Sequence, residues 1–101
     1  MSDSITAEKL QEILDGKAKV CLIDVRRKAD YDRSPAMIGG AIWQDPEKVA
    51  EWGKTLPSDR EVILYCVKGG QVSQTVADTL KETHSAIKFL EGGILGWEGQ
   101  K

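Results

Sequence analysis

The stretch "EVILYCVKGGQVSQTVADTL", residues 61–80, joins an apolar run to a helical pattern through one cysteine and a pair of glycines. Glu61 to Tyr65 carries the strongest strand signal in the chain, a run rich in β-branched residues. From about Val72 the spacing of Val72, Val76, Ala77 and Leu80 becomes helical, which predicts a helix reaching His84. A strand, a loop and a helix in that order form one βα unit, with Cys66 where the strand ends.

The same alternation extends to both sides. Upstream, "ITAEKLQEILDG" (5–16) predicts a helix capped by Thr6, with Glu8 in its first turn and Gly16 as its stop. Leu10, Ile13 and Leu14 form its apolar face, and Ser4-Ile5 supplies a short strand before it. "KVCLIDV" (19–25) is a continuous apolar run ending in an aspartate, the pattern of a strand buried on both faces. A polar stretch containing Asp30-Tyr31 leads to "GGAIW" (39–43), with a short strand at Ala41-Ile42. Asp45-Pro46 pairs an N-cap with proline at the first helical position, and "EKVAEW" (47–52) follows as a short helix. Downstream of the punctuation at Pro57-Ser58-Asp59, "AIKFL" (86–90) returns to strand. "EGGILGWEG" (91–99) closes the chain in glycine-rich turns. Strand and helix alternating in this way predict a single α/β domain over residues 1–101, an open, mostly parallel sheet with helices on both faces.

Composition excludes several function classes. The chain has 101 residues, 41% of them apolar and 30% charged, and a formal charge of −2. That balance gives no basic footprint for nucleic acid or an anionic membrane surface. The longest apolar run, Val62 to Val67, falls far short of the roughly 20 residues of a membrane span. The start "MSDSITAEKL" lacks the basic and apolar blocks of a secretory signal. A cytoplasmic protein with reduced thiols is therefore expected. Cys21 and Cys66 both lie in strand-like runs and do not suggest a disulfide framework. With His84 as the only histidine, a zinc site lacks ligands, and no cofactor is expected.

Cys66 stands out for the loop behind it. In open α/β sheets, sites form beyond the carboxyl ends of strands. Val67, Lys68, Gly69, Gly70 and Gln71 succeed the cysteine there, and a helix begins. Glycines let successive backbone N–H groups turn inward around a sulfur, and the helix start adds partial positive charge. Both favour a reactive thiolate, and Lys68 supplies a cation for an anionic substrate. The plain alternative is a small core hydrophobe, the usual role of a cysteine ending a buried strand. Cys21, with no such loop after it, reads as inert filler.

Two enzyme classes use a thiolate in an amide cradle. Phosphatases and arsenate reductases need an arginine at the loop's end, because its planar fork fits a tetrahedral oxyanion. Gln71 and Val72 occupy those positions here. Sulfur transfer needs only a thiolate and positive potential for the departing anion.

The residues resemble the single-domain rhodaneses over nearly the whole chain. "LIDVR" (22–26) is similar to the family's first signature, and "DYDRSPAMIGGAIW" (30–43) to its acidic-aromatic pair and following turn. "VILYCVKGGQ" (62–71) resembles the strand and active loop, and "FLEGGILGWEG" (89–99) the closing glycine-tryptophan pattern. The resemblance implies a five-stranded rhodanese-like sheet, Cys66 as a persulfide-bearing nucleophile, and a thiosulfate sulfurtransferase. Residues 67–71 would bind the donor, with Lys68 as the substrate cation. A thiol or thioredoxin-like protein would be the acceptor. The sequence departs from the family at Ala36-Met37, where glycine-histidine is usual. It departs again at Gln71, where many members have arginine, and at Val72, where they often have serine. One cation fewer keeps a second function open, a persulfide carrier or interaction module with little turnover of free thiosulfate.

Other residues read as scaffold. Asp24 and Arg26 are expected to hold neighbouring loops together rather than to touch substrate. His84 belongs at the far end of the helix after Cys66, too distant to act as its base. Trp97 is expected to close the core and Trp43 to sit at the cleft mouth, while Glu47, Lys48 and Glu51 form a solvated helix face.

Overall fold

The structure is a computed structural model describing residues 3–16, 20–33, 37–38, 40–56, 60–68, 71–82, 84 and 86–99. Five strands, β1 (Asp3–Ile5), β2 (Val20–Asp24), β3 (Ile42–Trp43), β4 (Glu61–Tyr65) and β5 (Ile87–Leu90), form one sheet in the order β1-β5-β4-β2-β3. Every neighbouring pair is parallel. The helices are α1 (Ala7–Asp15), α2 (Lys28–Arg33), α3 (Val49–Trp52), α4 (Gln71–Lys81) and α5 (Gly93–Gly99), with single 3-10 turns on either side of α3. The α/β expectation holds, and the sheet is wholly parallel.

The side-chain alternation of β4 divides the core. Val62, Leu64 and Cys66 face one side, where they pack with Ile23, Val25 and Ile87 against Trp52, Val76, Ala77 and Leu80. Ile63 and Tyr65 face the other, with Leu22 and Leu90 against Leu10 of α1 and Ile94 and Trp97 of α5. Helices thus cover both faces, which is why the central strands read as unbroken apolar runs. A fully buried Leu or Ile contributes about 1.5–3 kcal/mol. Thr6 caps α1 as expected, its hydroxyl accepting from the Lys9 N–H at 3.1 Å.

Four segments differ from expectation. Residues 28–33 are helical although they bury no residue, because the stretch has no apolar face for a pattern to reveal. A Lys28–Asp32 ion pair at 2.8 Å, one turn apart, supports that helix. The segment after Asp45-Pro46 begins as a 3-10 turn before α3, with Asp45 accepting from the Glu47 N–H at 2.9 Å. α4 starts at Gln71 and ends at Lys81, so His84 lies beyond it, its N–H bonded to the Leu80 carbonyl at 2.8 Å. The closing segment is a helix rather than turns alone. Gly92 and Gly93, at φ of 77° and 57°, make the turn that launches α5, and Ile94 and Trp97 bury one face of it. Lys19, Ala36 and Pro57-Ser58-Asp59 lie outside the described residues.

Candidate active site

β2 and β4 run side by side from Val20 opposite Glu61 to Asp24 opposite Tyr65. Past that point their continuations diverge. The chain leaves β2 toward β3 at one edge, and β4 toward β5 on the other side. Adjacent strands with diverging connections leave a crevice at their carboxyl ends, where parallel α/β sheets bind ligands. Here the crevice is a cleft of about 380 Å³ with Cys66 in its lining.

Cys66 is 5% exposed, and its sulfur lies 3.2 Å from the Ser73 hydroxyl oxygen, also buried, in the first turn of α4. That hydroxyl accepts from the thiol and, once the sulfur is ionised, can turn to donate to it. The backbone around the sulfur is held from the opposite face of the sheet. Ile94 donates its N–H to the Cys66 carbonyl at 2.9 Å, and Leu95 to that of Val67 at 3.1 Å. The Gly92-Gly93 turn therefore does more than end the chain, since it aims two amides at the active loop.

Val67, Lys68 and Gln71, three of the expected loop residues, line the cleft with Cys66. Gly69 and Gly70 lie outside the described residues. The opposite wall goes beyond the sequence reading. Arg26, Arg27, Asp30 and Arg33, from the segment after β2, complete the lining, so four cations face one carboxylate. Position 71 carries no cation, and Arg27 and Arg33 line the cleft from across it. The trace of that wall in the sequence is "VRRKADYDR" (25–33), a basic run placed just beyond the strand that neighbours β4.

The cations are not equivalent. Arg26 is 2% exposed and committed to Asp24, its Nε 3.0 and 2.9 Å from the two carboxylate oxygens and a terminal nitrogen 2.7 Å from one. Burial works to lower the Arg26 pKa, but the hydrogen bond and charge of Asp24 outweigh it and raise it. This is the scaffold role expected of the pair. Breaking it by removing one partner costs about 3–5 kcal/mol. Arg33 lies 4.0 Å from Asp30 and stays largely exposed. Arg27 and Lys68 have no acidic partner among the described residues, which leaves both for an anionic ligand.

Trp43 does not line the cleft but stands behind its arginine wall. Its ring stacks on Tyr31 of α2, centroids 5.2 Å apart, and its indole N–H donates to the Arg26 carbonyl at 2.9 Å. The Arg26 guanidinium in turn lies 5.5 Å from the Tyr31 ring centroid. On the far side of Asp24, the Tyr65 hydroxyl accepts from the Ile38 N–H at 3.2 Å. Burial, then the charge of Asp24, pushes the Tyr65 pKa well up, so the phenol stays neutral.

Cys21 is a free thiol, half-buried against the core that α4 covers. Burial pushes its pKa up, with Arg60 opposing, as suits an inert residue. His84 lies beyond the far end of α4, away from Cys66. No described helix is long and apolar enough to cross a membrane.

A parallel five-stranded sheet with a cysteine at its central crevice and a cationic wall defines a class, which comparison with known proteins identifies. The rhodanese-like domain model matches residues 6–100, and the chain belongs to that family. It is 30% identical to the putative sulfurtransferase YtwF of Bacillus subtilis, covering 95% of this chain and 90% of that one. It is 28% identical to a sulfurtransferase of Allochromatium vinosum, covering 96% and 89%. The probable adenylyltransferase/sulfurtransferase MoeZ of Mycobacterium tuberculosis is 32% identical over 96% of this chain, which spans only 25% of that protein. Among solved structures, a rhodanese-related protein from Thermoplasma volcanium superposes with a TM-score of 0.82 at 24% identity, covering 97% of this chain and 92% of that one. A possible tyrosine phosphatase of unknown function from Rhodopseudomonas palustris gives 0.85 at 19% identity, covering 98% and 81%. Those two likenesses show the fold.

Proposed function

We propose that the chain is a sulfurtransferase that moves sulfane sulfur from thiosulfate, or a similar anionic donor, through a persulfide on Cys66. The observation that carries this reading is that Cys66 lines a cleft whose lining also includes Arg27, Arg33 and Lys68. The Cys66 thiolate attacks the outer sulfur of thiosulfate. A new S–S bond forms, the donor's S–S bond breaks, and sulfite leaves with that electron pair. Cations around the leaving anion stabilise charge as it develops. The persulfide then passes its outer sulfur to cyanide in an assay, or to a thiol or thioredoxin-like protein as natural acceptor. Ser73 can hold the anionic sulfur in both half-reactions. Kinetics of the ping-pong type follow.

The sulfurtransferase names of the full-length relatives support this reading. The reason for the alternative, a carrier with little thiosulfate turnover, is the absent loop arginine, and Arg27 and Arg33 weaken it. Phosphoryl chemistry finds less support, because neither Gln71 nor Val72 offers the arginine fork at the loop's end.

Intact mass after incubation with thiosulfate tests the proposal. Wild-type protein should gain the mass of one sulfur, lose it to cyanide, and gain none as Cys66→Ser. Loading that survives in Cys66→Ser would overturn the assignment.

A further inference from the structure

A groove of about 560 Å³ lies at the other end of α4, between its last turn and α3. It shares no lining residue with the Cys66 cleft. Gln71 in the cleft and Leu80 in the groove are separated by about 14 Å of helical rise, so a substrate at Cys66 leaves the groove open. Small-molecule sites have volumes of about 300–1,000 Å³, and the groove falls among them. Its floor is apolar and closely packed. A Cβ at Gly53 would lie 2.8 Å from Leu80 Cδ2, so glycine lets the chain after α3 sit directly on the Leu80 side chain. Val49 and Ala50 extend that floor along α3.

Two charges flank the floor from separate elements. Lys54 stands in the 3-10 turn Gly53–Thr55 and Glu82 directly after α4, both exposed. Among the described residues neither has an ion pair, with the other or with a third residue. We propose that this groove is a binding site for an apolar di- or tripeptide with both termini free. The peptide's carboxylate meets Lys54, its ammonium group meets Glu82, and its aliphatic side chains cover Val49, Gly53 and Leu80. The Thr79 hydroxyl donates to the Thr75 carbonyl at 3.0 Å and keeps a lone pair for a peptide N–H.

Charge complementarity selects this class over its neighbours. A fatty acid would pair with Lys54 and leave Glu82 facing its chain, and an apolar amine would do the converse. A free amino acid carries both charges on one carbon, whereas a peptide separates them as the two walls do. Recognition uses no thiol and no covalent step, so the site stands or falls apart from the sulfur chemistry at Cys66.

Isothermal titration of the full chain with Leu-Leu tests the site. N-acetylation or C-amidation of the peptide should each weaken binding by about two- to five-fold, the worth of one exposed ion pair, and both together by about ten-fold. Free leucine should bind more weakly than Leu-Leu. Lys54→Gln should erase the preference for the free carboxylate and keep that for the free ammonium, and Glu82→Gln should do the reverse. Ala50→Trp, which fills the groove from an exposed position, should remove binding. Absence of heat from Leu-Leu at millimolar concentration overturns the site. So does a terminal preference that survives in the variant lacking its partner, or binding unchanged in Ala50→Trp. Leucine binding as tightly as Leu-Leu overturns the peptide assignment.

Discussion

The indole N–H of Trp43, on the edge strand β3, donates to the carbonyl oxygen of Arg26 at 2.9 Å. This bond ties the segment carrying the cationic wall to the sheet. Arg26 itself is occupied by Asp24, so what Trp43 fixes is the backbone from which Arg27 departs and α2 begins. The stack of Tyr31 on Trp43 extends the hold to the middle of α2, which ends in Arg33.

Trp43→Phe keeps the ring and removes the donor. The loss of one such hydrogen bond costs about 1 kcal/mol, too little to unfold the protein. The expected effect is on the electrostatics at Cys66. Its alkylation by iodoacetate should slow about three-fold relative to neutral iodoacetamide, while the iodoacetamide rate itself changes less than about two-fold. Equal changes in both rates would mean that Trp43 supports the fold and nothing more.

Removing the cations directly gives a sharper version of the same measurement. Arg27→Gln and Arg33→Gln should each raise the KM for thiosulfate, by about three- to ten-fold, with a smaller change in cyanide discharge of a preloaded protein. Arg27 should matter more, because Arg33 is 80% exposed and lies near Asp30. The variants should also show a shallower fall of kcat/KM with added salt.

Ser73 and Cys66 are 3.2 Å apart and both buried. Ser73→Ala leaves the sulfur without that partner. Persulfide formation should slow about five- to thirty-fold, the kinetic equivalent of about 1–2 kcal/mol of lost hydrogen bonding to an anionic sulfur. Stopped-flow detection of sulfite release reads this rate. A rate equal to wild type would assign Ser73 to packing.

The elements legible in the sequence are those whose signal is apolar and continuous. The bounds expected for β4 match the structure, and those of β2 and β5 agree to within a residue or two, because strands covered on both faces have little freedom in composition. Cys66 is legible for the same reason, as the end of such a strand. α2 is not, since a helix without a buried residue leaves no periodic trace. The cationic wall is hidden with it. Arg27 and Arg33 reach the site through strand order, and the adjacency of β2 and β4 is a long-range fact that no local window contains. Ser73 stands one position beyond Val72, where the family's serine is expected, and nothing local marks it as the sulfur's partner. The closing helix reads as turns because the four glycines of "EGGILGWEG" mask the spacing of Ile94 and Trp97.

The role of that closing segment is open to a direct test. Gly92 sits at φ of 77°, and a Cβ there would come within 3.3 Å of the Gly96 Cα. Gly92→Ala should therefore lower stability by about 1–3 kcal/mol. Ile94 and Leu95, whose amides hold the Cys66 and Val67 carbonyls, come directly after this turn, so sulfur loading should slow as well, under conditions where the variant is fully folded. A pure stability loss, with loading unchanged in the folded fraction, would detach α5 from the site.

Tyr65 gives the alkaline limit of the fold. Its pKa is raised from the ordinary 10.0, first by burial and then by the charge of Asp24. Above about pH 10 the unfolded chain loses this proton while the folded chain keeps it, so the folded state binds more protons and stability falls as pH rises. Below about pH 10 the contribution is present in full. Tyr65→Phe cannot titrate there. At neutral pH it should be about 1 kcal/mol less stable than wild type, because the Ile38 N–H loses its acceptor. Urea unfolding between pH 8 and about 11 should then show a shallower alkaline decline in the variant, with the two stabilities converging as pH rises. The raised Cys21 thiol acts in the same direction in both proteins and cancels from the comparison. Parallel curves over that range would show that the buried phenol beside Asp24 does not set the alkaline limit.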